Sequence, residues 1–178
     1  LMNQQAQRIP IGSQRLLYLP YLMGERTPHL DPDARGAFFG LSSIHTKAHM
    51  LRAVMEGVAF SLRDCMEIIR SVGIAPREML LCGGGAKSPV WKQMLADLFG
   101  LPTATIPSSE GAALGVAILA GVAAGIYASV PEGCDAVIRK EPAGAPMEAN
   151  AKAYEPFYRM YTRVYPALRE SYKELATL

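Results

Sequence analysis

Two hydrophobic periods alternate along the chain. The run Leu16 to Leu22, Leu-Leu-Tyr-Leu-Pro-Tyr-Leu, reads as a short strand that Pro20 limits. From residue 46 the period lengthens: Met50, Leu51, Val54, Val58, Leu62, Cys65, Met66 and Ile69 recur every three or four positions. That spacing predicts a helix capped by Thr46, running to about Val72 and ended by Gly73, with Arg52, Glu56, Arg63, Glu67 and Arg70 on its opposite, polar face. Met79 to Cys82 is a short apolar run stopped by three glycines, as a buried strand ending in a tight turn would be. Ser88 and Pro89 then supply the N-cap and first position of a helix whose apolar face is Val90, Trp91, Met94, Leu95, Leu98 and Phe99, closed by Gly100.

The β-branched segment Thr103 to Ile106 predicts a second strand, and Ser108 or Ser109 is placed to cap a helix through about Ala124. Strand, helix, strand, helix is the order of a parallel α/β unit with right-handed crossovers. The second helix contains Gly111, Gly115 and Gly121, each costing about 1 kcal/mol against Ala, so it is expected to be buried with a close backbone neighbour. Residues 130 to 147 read as irregular. The tail from Ala149 to Leu175 reads as a helix with Tyr154, Phe157, Tyr158, Tyr161, Tyr165, Leu168, Tyr172 and Leu175 on one stripe, started or kinked by Pro156 and Pro166. Between Gly24 and Gly40, Pro28, Pro32, Gly36 and the pairs Glu25/Arg26 and Asp33/Arg35 predict an ordered loop held by turns and ion pairs.

Size and charge narrow the function classes. The 178 residues are half apolar, enough for one domain that buries roughly 70% of its unfolded surface, which excludes general disorder. Eighteen basic against sixteen acidic side chains, with no basic block, give no electrostatic footprint for nucleic acid. Cys65, Cys82 and Cys134 are too far apart for a zinc or redox motif and are expected as free thiols of a reducing, cytoplasmic compartment, buried as small hydrophobes. Gly111 to Ile126 is too short and too weakly hydrophobic to span a bilayer, so no membrane partner is expected. Leu1 precedes Met2, which raises the expectation of an internal piece of something longer.

The sharpest chemical signal is Cys82-Gly83-Gly84-Gly85-Ala86-Lys87-Ser88. Residues without Cβ let a ligand touch the backbone, and the following helix turns its free N–H groups and positive dipole end to the same mouth, an arrangement that favours anions. The loop matches neither common phosphate-loop pattern, so a nucleotide seat and a merely tight turn both remain open, as do a phosphate contact and plain solvation for Lys87. Elsewhere the spacing brings no metal site together from Asp31, Asp33 and Glu110. Glu25 and Arg26 read as an ion pair pinning their own loop or as a brace for a cleft. His29, His45 and His49 read as ordinary polar histidines, Glu56 as a structural salt bridge, and the tyrosine stripe as core.

Beyond the glycine turn, the stretch Gly36-Ala-Phe38-Phe-Gly40-Leu41, followed by His49-Met50 and Ala53-Val54-Met55-Glu56, resembles the second signature of the FGGY family of carbohydrate kinases at every constrained position. Leu19-Pro20-Tyr21-Leu22-Met23-Gly24-Glu25-Arg26-Thr27-Pro28, Gly83 to Trp91, and Glu110-Gly-Ala-Ala-Leu-Gly115-Val-Ala are similar to that family's loop, adenosine turn and following helix. The resemblance covers residues from about 16 onward, loosely after Val130. It implies the C-terminal, ATP-side domain of an actin-like ATPase fold, ribonuclease-H-like and incomplete, with short parallel strands packed with helices. It implies ATP as cosubstrate, with Mg2+ held mainly outside this chain, and a sugar and the N-terminal domain of the same kinase as partners in an enzyme that is a homodimer at full length. The resemblance implies that Gly85 and Ala86 correspond to the backbone meeting adenosine, with Gly84 completing the turn of the cofactor site. Several relatives place Asn where Pro89 stands here, so Ser88 either substitutes for that contact or is only an N-cap. The catalytic aspartate belongs to the other domain, so no catalytic residue is assigned here and the chain alone is not expected to turn over. Exposed apolar surface where absent strands would pair, and hence self-association, is a further expectation.

Overall fold

The computed structural model describes residues 2–106 and 111–178. After a short helix α1 (Met2–Gln7) and a single 3-10 turn (Ser13–Arg15), strand β1 (Leu17–Leu19) pairs antiparallel with β2 (Ala37–Phe39), Tyr18 opposite Phe38. The sequence reading had β1 and not β2, because three residues between two glycines carry no period. The connection between the strands is ordered, but ion pairs do not hold it. Glu25 accepts a hydrogen bond from the Thr27 amide (2.7 Å), Asp31 from the Asp33 amide (2.9 Å), and Arg35 donates to the carbonyls of Pro32 and Ala34 (2.7 and 2.8 Å). Residues Glu25 and Asp31 also bridge through their backbones.

Helix α2 (Lys47–Ser71) starts at Thr46 in a capping box with His49 and stops where Gly73 takes φ 85°, as the sequence indicates. It crosses β1 at Gly57, where any Cβ would collide with the Tyr18 carbonyl oxygen. Its faces are less cleanly divided than expected: Met66 is buried and Glu67 and Arg70 remain at the surface, but the two sets otherwise mix. Arg52, Glu56 and Asp64 are buried with Ala53, Ala59 and Phe60, while Met50, Leu62, Ile68 and Ile69 are exposed. The polar residues turn inward because partners from other elements meet them there, as described below.

A second sheet has the order β3 (Met79–Leu81), β4 (Thr103–Thr105), β5 (Glu141–Gly144). β3 and β4 are parallel, with α3 (Pro89–Phe99) as the crossover between them, and β5 adds antiparallel to β4. Only Leu81 of β3 is buried, so the strand is covered less than expected. Helix α4 (Gly111–Ala123) runs over the predicted range, its proposed caps Ser108 and Ser109 lying outside the described residues. It is not buried: only Ile118 and Gly121 are covered, and Gly111 and Gly115 have nothing within 4 Å of a would-be Cβ among the described residues. The region read as irregular contains α5 (Val130–Val137), capped by the Ser129 hydroxyl, and β5.

Helix α6 (Glu148–Leu175) closes the core. Tyr154, Tyr158, Tyr161, Tyr165 and Tyr172 are buried along the predicted stripe, all five in one cluster with Phe60, Met94, Leu95 and Phe99 of α2 and α3. Pro156 and Pro166 lie inside this one helix; neither starts it.

Candidate functional site

The turn between β3 and α3 owes its shape to backbone geometry. Gly83 adopts φ 78°, which a side chain resists, and residues Gly84–Lys87 then form a 3-10 turn delivering the chain to Ser88. The Ser88 hydroxyl accepts a hydrogen bond from the Trp91 amide (3.2 Å), Pro89 occupies the first turn, and no acidic residue stands there. Cys82, Gly83, Gly84, Gly85 and Lys87 are exposed, and Ala86 is half-buried. Among the described residues, a Cβ on Gly83 or Gly84 would meet nothing within 4 Å, whereas one on Gly85 would lie 3.3 Å from Nε1 of the Trp91 indole. The Ala86 and Ser88 amides are used within the turn, bonding to the Gly83 and Gly85 carbonyls, while those of Gly84 and Gly85 have no acceptor among the described residues. Exposed glycine backbone and a helix N-terminus without an acidic residue thus meet at one turn. That combination suits the backbone recognition of a polar or anionic group. Of the residues assigned from sequence, Gly84, Gly85 and Ala86 form the mouth; Ser88 is buried and its hydroxyl serves as the N-cap.

A separate pocket of about 320 Å³ is lined by Pro10, Arg52, Val90, Gln93, Asp97 and Tyr154 among others, touching the turn only through Pro89. Its carboxylate, Asp97, is already satisfied by the Gln93 and Asn150 side chains and the Met147 amide, each at 2.8 Å, an arrangement that anchors the start of α6. This anchoring role of Asp97 escaped the sequence reading, since Met147 and Asn150 lie about fifty residues away.

The other sequence candidates are structural. Glu56, 1% exposed, accepts from Arg52 Nε (2.7 Å) and from the Gly12 amide (3.0 Å) through the same oxygen, Oε1, and Arg52 also donates to the Tyr154 hydroxyl. Burial holds the Glu56 carboxyl above its ordinary range, against the opposing pull of Arg52. Asp31 takes the Tyr165 hydroxyl (2.6 Å), which holds its carboxyl below the usual range, and His29 stacks on the Tyr165 ring at 3.8 Å. His49 is buried in the helix cap and His45 faces the Ser42 amide. Glu25 and Arg26 form no ion pair among the described residues. All three cysteines are free thiols, but none is fully buried as expected: Cys82 is exposed, and Cys65 and Cys134 are half-buried. Among the described residues, no three His, Cys, Asp or Glu side chains converge as a metal site, and no helix is long and apolar enough to cross a membrane.

Against known proteins, residues 1–124 match the FGGY family of carbohydrate kinases, C-terminal domain. The chain is 39% identical over 162 residues to the xylulose kinase of Bacillus subtilis, covering 91% of this chain and 32% of that protein. In solved structures, 98% of it superposes on 35% of the ligand-bound xylulose kinase from Lactobacillus acidophilus with TM-score 0.90 and 32% identity. The gluconate kinase of the same organism gives TM-score 0.88 at the same identity and coverage. The chain spans about a third of the length of these relatives. With the family's C-terminal domain matched over residues 1–124 and 98% of the chain superposing on a xylulose kinase, the chain belongs to the FGGY family of carbohydrate kinases and has the α/β fold of that family's actin-like C-terminal domain.

Proposed function

We propose that this chain is the ATP-side part of an enzyme that phosphorylates D-xylulose to D-xylulose 5-phosphate. The observation that carries the nucleotide half of this reading is the exposed turn at Gly84 and Gly85 ahead of α3, whose amides have no acceptor among the described residues. There the backbone of Gly84, Gly85 and Ala86 receives the adenosine end of the nucleotide, Ser88 fixes the helix start that shapes the turn, and Lys87 stands at the rim. Bound Mg-ATP supplies the phosphoryl group that is transferred. This chain's share is binding and orientation, since positioning and an oriented nucleophile both require the other domain. The sugar half rests on the likeness to xylulose kinases. Gluconate is the second reading, because the gluconate kinase superposes almost as well.

Trp91 is the single tryptophan of the chain and lies against Gly85, so its fluorescence reports directly on this turn. Titration with ADP is expected to give a saturable change. Gly84→Val is expected to keep the far-ultraviolet circular dichroism, because its Cβ meets open space, and to lose the nucleotide response. A Gly84→Val chain that binds ADP with unchanged affinity sinks the reading. On the longer polypeptide, kcat/KM for D-xylulose is expected to exceed that for gluconate; the reverse order selects the second sugar.

A further inference from the structure

The pocket that meets the glycine turn only at Pro89 is walled by the segment before the 3-10 turn, by α2, by α3 and by the start of α6. Arg52 is 7% exposed; its Nε goes to Glu56 and its Nη2 to the Tyr154 hydroxyl. Nη1 has no partner among the described residues, yet it is not one of the enclosed orphans there, which are Glu56 Oε2, Arg63 Nε and the Tyr172 hydroxyl. The part of this side chain that still meets solvent is therefore that amino group, at the pocket Arg52 lines. Gln93 Nε2 donates both its hydrogens, to Asp97 and to the Ala145 carbonyl, each at 2.8 Å, and Asn150 Nδ2 donates to Asp97. Both amides are thereby fixed in orientation, and each leaves its carbonyl oxygen without a donor among the described residues. The remaining wall, Ile9 to Ile11, runs directly into a left-handed turn, with Gly12, Ser13, Gln14 and Arg15 at φ 78°, 44°, 53° and 72°. Such a run persists only where its surroundings hold it. Glu56 takes the Gly12 amide at 3.0 Å, and the His49 carbonyl takes the Ser13 hydroxyl at 2.6 Å. One carboxylate thus braces both the wall and Arg52.

We propose that this pocket is a second small-molecule site, separate from the glycine turn, for a neutral polyhydroxylated ligand the size of a pentose or its polyol. Its volume of about 320 Å³ lies at the lower end of the range for small-molecule pockets, roughly 300–1,000 Å³. The unused groups are a two-hydrogen donor on Arg52 and two carbonyl acceptors on Gln93 and Asn150, and a hydroxyl both accepts and donates. Pro10, Val90 and Met94 supply apolar wall for the C–H faces of such a molecule. Charge argues against an anion. The lining holds one cation, Arg52, and one carboxylate, Asp97, and Glu56 stands 2.7 Å behind the former, so there is no excess positive charge in either state of Glu56. Asp97 already accepts from three donors, which leaves it little to offer a cation. The proposal does not depend on whether the glycine turn binds a nucleotide.

Saturation-transfer difference NMR on the 178-residue chain, with xylitol and D-xylose as probes, tests this. Saturable transfer is expected with half-saturation on the order of 1 mM, as suits a ligand of so few atoms. Val90→Phe, whose ring fills the space, is expected to weaken it at least about tenfold, while Val90→Ala keeps it. Should Val90→Phe fold poorly by circular dichroism, Ile9→Phe narrows the pocket from the segment before the turn. No saturable transfer from either probe up to about 50 mM overturns the proposal, as does full transfer to both filled variants. Displacement of xylitol by inorganic phosphate overturns it in favour of an anion site, and displacement by adenosine makes the pocket part of the nucleotide seat, which overturns it equally. ADP titration of Trp91 is read separately: xylitol binding without an ADP response supports this pocket and removes the nucleotide seat.

Discussion

Replacing Glu56 by Ala is expected to be the most damaging single change to the fold. Its Oε1 is the shared acceptor for Arg52 Nε and for the Gly12 amide, so the substitution strands two buried donors, one of them a full charge at 7% residue exposure. An orphaned buried donor costs about 1–3 kcal/mol, and breaking a buried ion pair from one side about 3–5 kcal/mol. The larger figure applies because Arg52 keeps only the Tyr154 hydroxyl. For a chain of this size that corresponds to a drop of roughly 6–20 °C in melting temperature. Glu56→Gln keeps an oxygen for both donors and is expected to lose only about 1–2 kcal/mol. The decisive variant is the double replacement Arg52→Met with Glu56→Leu. It removes the charge together with its partner, and is expected to be less destabilised than Glu56→Ala alone despite changing more atoms. Urea unfolding at pH 7, followed by circular dichroism, measures all of these. A Glu56→Ala loss below about 1 kcal/mol, or a double variant that loses the sum of its singles, refutes the reasoning.

Two pH-dependent outcomes follow from the carboxylates packed on α6. Burial holds the Asp64 carboxyl above its ordinary value despite the Tyr158 hydroxyl bonded to it at 2.6 Å, so the stability it contributes is complete below about pH 4 and is lost as pH rises through its folded pKa. Asp64→Asn retains an acceptor for Tyr158 and is expected to gain in melting temperature over the native chain between pH 4 and pH 7; a pH-independent difference contradicts this. Asp31 has the opposite sign. Held low by Tyr165, it contributes stability that is present above about pH 4 and fades as pH falls through its lowered pKa. Tyr165→Phe is therefore expected to cost about 1.5–3 kcal/mol at pH 7 and to flatten the acid limb of the stability profile, an outcome excluded if the acid limb is unchanged.

Which parts of this architecture were legible beforehand depends on where the information resides. The limits of α2 and α3 were readable because Thr46, Gly73, Ser88 and Gly100 fix them locally. The parallel pairing of β3 with β4 followed from their separation by one helix. The same capping logic would have found α5, since Ser129 and Pro131 repeat the Ser88 and Pro89 arrangement, but the surrounding Pro and Gly masked it. β2 and β5 are three and four residues long and are strands only because a neighbour supplies their hydrogen bonds. The burial of Arg52 and Glu56 in α2 could not be read locally. Arg52 and Glu56 look like a solvated pair four residues apart, and only Gly12 and Tyr154, both distant in sequence, make the interior accept them. The glycine turn was visible as glycines, whereas the freedom of the Gly84 and Gly85 amides depends on which carbonyls the 3-10 turn leaves within reach.

Helix α6 contains two prolines at exposed positions, each of which deprives the carbonyl four residues earlier of its usual amide and costs roughly 3 kcal/mol in an isolated helix. No local preference for helix can absorb two such penalties in twenty-eight residues. A peptide cut from this region would therefore be a coil in water. The segment acquires its regular shape only on the surface of α2 and α3, so its ordering is coupled to the assembly of the domain.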